Sequence, residues 1–189
     1  MDGAAQTTTK ILSSLTVAGD ILIVAFLVVF IILYFKQDAN YFKDGREALR
    51  FLGKNAVLFS FLIALASVAG SLYYSEIVGF APCKLCWIQR IFIYPQVIIL
   101  GMALRKEDSG VANYSIALSG IGAIFSAYHQ YLQFGGHSLF SCSANAVSCS
   151  QRLTLEFGYV TIPMMMLTAF LLIILLMAAH KKSFRDEKQ

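Results

Sequence analysis

Charge is what this chain has least of. Only 14% of its 189 residues are Asp, Glu, Lys or Arg, and 58% are hydrophobic, whereas an ordinary soluble domain is about a quarter charged. The shortage is concentrated in long runs. Ile21 to Phe35, Ala56 to Tyr74 and Tyr159 to Ala179 hold no charge, Trp87 to Leu104 holds only Arg90, and Ala112 to Phe134 is uncharged but contains His129. A spanning helix needs roughly 20 mostly apolar residues. Four runs meet that length, and the first does so if Val17 to Gly19 join it past Asp20. The runs also lack the period-two alternation of a membrane barrel. Backbone groups cannot stay unpaired in lipid, so the spans are expected as helices. No A-x-A cleavage pattern follows the first run, and Asp2, Lys10 and Asp20 give it a poor signal-peptide start, so it reads as a retained helix. No internal repeat or low-complexity tract stands out. The fold class that remains is an all-α integral membrane protein with five crossings.

Basic residues set the expected orientation. Lys36, Lys43, Arg46, Arg50 and Lys54 fall between spans one and two, Arg105 and Lys106 between three and four, and Lys181, Lys182, Arg185 and Lys188 after span five. These are eleven of the fifteen. The positive-inside rule then puts the N-terminus outside and the C-terminus in the cytoplasm. The net charge of +4 is accounted for by orientation and calls for no nucleic-acid partner.

Residues 1–54 comprise the first helix and a basic linker, 55–180 the remaining four spans, and 181–189 a basic tail. Within the linker, residues 40–54 read either as a short interfacial helix or as a solvated connection. Small residues recur at i, i+4 in span four (Ser115, Ser119, Ala123) and span two (Ala66 and Gly70, Ser67 and Ser71), a spacing that permits close helix packing. Pro95 and Pro163 lie inside apolar runs and are expected to bend them. One connection is long: Gly135 to Gly158, 24 residues. Loops of that length are usually functional or disordered.

The four cysteines form two pairs, both outside the membrane on this topology. Cys83 and Cys86 make a C-x-x-C where span three begins, and Cys142 and Cys149 lie in the long loop. An oxidising outer compartment permits disulfides at both. The N-terminus of a helix favours a thiolate through its free N–H groups and dipole. Cys86 is expected there, with Arg90 four residues on and on the same face.

Three functions compete. Static staples explain an even count, but a three-residue loop gives little entropic gain. A four-cysteine zinc site fits C-x-x-C, yet the second pair is too widely spaced, so no metal site is expected. Dithiol–disulfide exchange between a soluble partner and a membrane acceptor uses every feature. A non-enzymatic scaffold with stapled loops is the alternative, and reduction potential separates the two: structural disulfides lie below roughly −300 mV and catalytic ones above.

The stretch from Gly70-Ser71-Leu72-Tyr73-Tyr74-Ser75-Glu76 through Pro82-Cys83-Lys84-Leu85-Cys86-Trp87-Ile88-Gln89-Arg90 to Tyr94-Pro95 closely resembles the DsbB family of disulfide bond formation proteins, most like its BdbC branch. The likeness continues through His129, the loop pair and Glu156 to Pro163, covering about residues 55–180. The related vitamin K epoxide reductase class has its pairs in the reverse order. The resemblance implies a four-helix transmembrane bundle, here with one additional N-terminal transmembrane helix of unknown role, in a bacterial cytoplasmic (inner) membrane. It implies that Cys142 and Cys149 oxidise a DsbA-like thioredoxin-fold partner, with Cys142 forming the mixed disulfide. It also implies that Cys83 and Cys86 re-oxidise that pair, with Cys83 meeting Cys149. Cys86 and Arg90 would face a quinone, ubiquinone or menaquinone. The close spacing of the loop pair departs from some members.

His129 is expected either to touch the quinone or relay protons, or to be an ordinary interfacial histidine. His137 and Glu76 read as solvated surface residues, and Met164 to Met166 as packing and lipid contact. Trp87 and the outer tyrosines suit an aromatic belt.

Overall fold

The computed structural model describes residues 3–35, 43–106, 110–137 and 148–187. Five helices follow in order: α1 (Gly3–Phe35), α2 (Lys43–Leu72, continued by a π-helical turn, Tyr73–Ile77), α3 (Lys84–Lys106), α4 (Val111–Gln133) and α5 (Ile162–Glu187). All five contain stretches long and apolar enough to cross a membrane. Among the described residues the one β-type pairing is an isolated bridge between Glu156 and Val160.

Helix α5 packs along both α2 and α4, and α3 closes the bundle against α2 and α4. Phe170, Ile173 and Met177 of α5 meet Ile93 and Leu100 of α3 and Val111 and Ala112 of α4 in a continuous apolar core. The α4–α5 approach depends on Gly122, where an added Cβ would lie 2.4 Å from the Phe170 ring. Ser115 and Ser119 are fully buried, as their small-residue spacing predicts. Ser119 Oγ also bonds the Gln96 side chain of α3, at 3.1 Å. The equivalent stripe on α2 behaves differently. Ala66, Ser67, Gly70 and Ser71 line a cavity.

Three expectations need correction. The first helix begins at Gly3, well upstream of Ile21, so Lys10 and Asp20 lie within the helix. The reason is local. Thr7, Thr9, Ser14 and Thr16 each donate a hydroxyl to the carbonyl four residues back, at 2.8–3.0 Å, which satisfies a polar segment inside the helix it belongs to. Residues 43–54 are the first turns of a continuous α2, with no separate interfacial helix or linker; residues 40–42 lie outside the described residues. Finally, Pro163 is the second residue of α5. Its missing N–H there would have had no helical partner, so it starts the helix without bending it. Pro95 lies inside α3 as expected.

Candidate functional site

Pro82 leads the chain into α3, and the Trp87 N–H closes the first turn on the Cys83 carbonyl at 3.2 Å. Cys83 therefore stands just before the helix and Cys86 in its first turn. Their sulfurs are 3.2 Å apart, in contact but beyond the ~2.05 Å of a disulfide. Cys149 comes from the long loop into the same buried cluster as Cys83, Leu85 and Leu132 and is only 2% exposed. Cys142 lies outside the described residues.

A chain of hydrogen bonds converges on this pair. The Gln89 side-chain amide is 3.2 Å from His129 Nδ1, and His129 Nε2 is 3.6 Å from Cys83 Sγ. With Gln89 donating, the imidazole carries its proton on Nε2 and presents it to Cys83. His129 is 2% exposed, so its imidazole is enclosed by protein. Cys83 holds its own proton toward Cys86. That bond, and burial after it, push the Cys83 thiol up from 9.0 to about 12, while His129 acts in the opposite direction. The thiolate of Cys83 forms only as pH rises toward that value. Alkylation of reduced Cys83 by iodoacetamide should therefore stay slow to pH 10, where an exposed thiol (pKa near 8.5) is already saturated. A Cys83 labelling profile with its midpoint below 9 would contradict this hydrogen-bond order.

Arg90 is 8% exposed and does not reach out of the bundle. Its Nε donates to Ser71 Oγ at 2.9 Å and its Nη2 to the Ser71 carbonyl at 3.0 Å, and the guanidinium lies 5.1 Å over the Trp87 ring. Trp87 itself is 56% exposed. Cys83, Cys86, Gln89, Arg90 and His129 all line one cavity of about 510 Å³, whose other walls come from α1, α2, α5, the end of α4 and the segments around Ala81 and Thr154. Two buried polar atoms on that lining, Gln133 Oε1 and Thr154 Oγ1, have no partner among the described residues. Glu76 and His137 are exposed. Met166 packs into the core while also touching the cavity.

Cys83, Cys86 and His129 bring two sulfurs and an imidazole nitrogen within 4.8 Å of one another, a grouping that could take a soft metal ion. Cysteine spacing alone does not reveal it, because His129 joins the pair from α4. Ser71, Gln89, Gln133 and Thr154 were also missed as site residues, being uncharged polar groups in or beside apolar runs. The available signal was Gln89, a polar side chain one residue before the only arginine in the run Trp87 to Leu104.

The family described as disulfide bond formation protein DsbB matches residues 53–180. The chain belongs to the DsbB family. Its relatives include "Disulfide bond formation protein C" of Bacillus subtilis, 42% identical over 132 residues that cover 68% of this chain and 96% of that one. "Probable disulfide formation protein C 1" of Bacillus cereus is 46% identical over 105 residues, 55% of this chain and 76% of the relative. A "Probable disulfide formation protein" of Chlamydia caviae is 39% identical over 137 residues, covering 71% and 98%. No solved structure matches the chain. As a DsbB family member with five membrane-length helices, it is a multi-pass membrane protein of disulfide bond formation, an oxidoreductase-type role that engages thiol–disulfide partners. The family match begins at residue 53, so α1 lies outside it.

Proposed function

We propose that this protein is a quinone-dependent thiol oxidase that regenerates a DsbA-like thioredoxin-fold partner. The cysteine end of the bundle faces the outside of a bacterial cytoplasmic membrane, and eleven of the fifteen basic residues lie on the inner side. Cys149 carries the reading: a cysteine 66 positions from Cys83 in sequence is buried in the same small cluster.

The partner's dithiol attacks the Cys142–Cys149 disulfide. Two exchanges leave the partner oxidised and the loop pair as two thiols. The Cys149 thiolate then attacks Cys83 in a Cys83–Cys86 disulfide, forming a Cys83–Cys149 bond and releasing Cys86 as thiolate. Cys142 displaces Cys83 from Cys149, restoring the loop disulfide and leaving both electrons on Cys83 and Cys86. The first turn of α3 and the Arg90 guanidinium stabilise the negative charge on Cys86. The Gln89–His129 pair holds a proton at Cys83.

The cavity's chemistry fits a quinone. Its volume suits a small-molecule site, Arg90 offers donors at the cysteine end, and the Thr154 hydroxyl, which has no partner among the described residues and would otherwise cost about 1–3 kcal/mol, offers another. A quinone bound there supplies the final acceptor for two electrons and two protons. Cys86, Arg90 and Thr154 would hold its oxygens, and the apolar residues of α2 and α5 would take its ring and tail.

The relay is tested by removing both outer members of the two pairs. In Cys86→Ser/Cys142→Ser protein, mild oxidation should give a Cys83–Cys149 disulfide, found by non-reducing peptide mapping. Two cysteines that remain unlinked, or link only between molecules, would exclude the transfer.

A further inference from the structure

We propose that α1 is the wall that selects the acceptor, and that Asp20 is the positioning residue that holds this wall in place. The inference rests on the quinone-oxidase reading and extends it to a helix that lies outside the family match.

The face that α1 turns to the bundle is small and polar. Ala5, Thr9, Ser13, Thr16 and Gly19 are buried, whereas Ile11, Ile21, Val24, Leu27 and Val28 are exposed. That pattern suits a helix whose apolar side meets lipid. It is fastened at two places. Toward its start, Tyr74 donates to Thr9 Oγ1 at 3.1 Å and Thr8 donates to the Tyr73 hydroxyl at 3.3 Å, both on the end of α2. Eleven residues after Thr9, Asp20 accepts from Thr168 of α5 at 2.6 Å and from the Tyr159 hydroxyl at 3.0 Å. Beside it, Gly19 lets the helices close together, since a Cβ there would stand 2.9 Å from Thr168 Cγ2.

Between the two fastenings, Leu12, Leu15, Thr16, Ala18 and Gly19 line the cavity that holds Cys86 and Arg90, and Leu22 continues this lining just past Asp20. Helix α1 thus reaches from α2 to α5 across a space that also contains the redox pair. With α1 fastened, an acceptor is surrounded by protein on this side and is selected by fit. With α1 released, the same pocket opens on this side. A carboxyl within a spanning helix is costly, and at Asp20 the hydroxyls of two other segments offset that cost by fastening the wall. The ligand class is a benzoquinone or naphthoquinone ring, held by α1 contacts at the ring rather than by its tail.

The test measures binding directly through the chain's single tryptophan, Trp87, which adjoins Cys86. Quenching of its fluorescence is followed with a tail-less quinone and with the same ring bearing a ten-carbon tail, in detergent-purified full-length protein. In Asp20→Leu the tail-less quinone should bind about tenfold more weakly and the tailed one no more than about threefold more weakly. Asp20→Asn keeps an acceptor oxygen and should restore both to near wild type. Tyr159→Phe removes one bond and should fall between. Partner exchange at the loop pair serves as the folding control. Equal losses for the two quinones, or unchanged tail-less binding in Asp20→Leu, would overturn the role of the wall. If neither quinone quenches the wild type, the oxidase reading and this inference fail together; a wild type that binds both, with Asp20→Leu unchanged, rejects this inference alone.

Discussion

Replacing Cys86 by Ala should let the protein oxidise one equivalent of reduced partner and then stop. The loop pair can still exchange once, because its two cysteines are intact. What is lost is the sulfur in the first turn of α3 that lines the cavity with Arg90, and with it the route for electrons out of Cys83. Steady-state turnover with quinone should fall by about 10³-fold or more, as it does when a nucleophile is removed outright. Stopped-flow measurement of partner oxidation would show the single-equivalent burst with no following phase. A steady rate within tenfold of wild type would mean that another sulfur reaches the acceptor, and the division of labour within the pair would be wrong.

Arg90→Met should have the second largest effect. The substitution keeps length and removes the charge beside Cys86, and groups that stabilise developing charge in a water-poor site are worth about 10²–10³-fold in rate. Turnover should drop by about 10²-fold and the quinone concentration for half-maximal rate should rise, while exchange between partner and loop pair continues. Because Arg90 also ties α3 to Ser71 of α2, a purely mechanical role must be separated. Ser71→Ala removes the side-chain half of that tie and leaves the guanidinium. If Arg90 serves only to join the helices, Ser71→Ala should impair turnover comparably; on the present account it changes turnover by less than about fivefold, in line with one lost hydrogen bond.

The spans were legible because lipid imposes a requirement that composition reports directly: long stretches without charge must be helices. The position of α1 was not, since Thr7, Thr9, Ser14 and Thr16 look like a polar leader until their hydroxyls are seen bonded to carbonyls four residues back. Asp20 looked like the flank of a span for the same reason, and only the fold brings it to Thr168 and Tyr159. The C-x-x-C at the head of α3 and the inward Arg90 were visible from spacing. The burial of Cys149 beside Cys83 was expected only through the resemblance, because no local pattern near Cys149 points across the bundle. Gln133 and Thr154 carried no signal at all. They stand out because they line a cavity without a partner among the described residues, and a cavity cannot be read from one chain's order.

Electrons taken from a partner's thiols should leave through quinone. Purified protein, a reduced DsbA-like thioredoxin-fold partner and a soluble quinone are mixed without oxygen, and quinone absorbance is followed alongside the partner's thiols. The account predicts one quinone consumed for each disulfide formed in the partner, with every one of Cys83, Cys86, Cys142 and Cys149 required for repeated turnover. Partner oxidation that proceeds through many turnovers while quinone absorbance stays constant would contradict it.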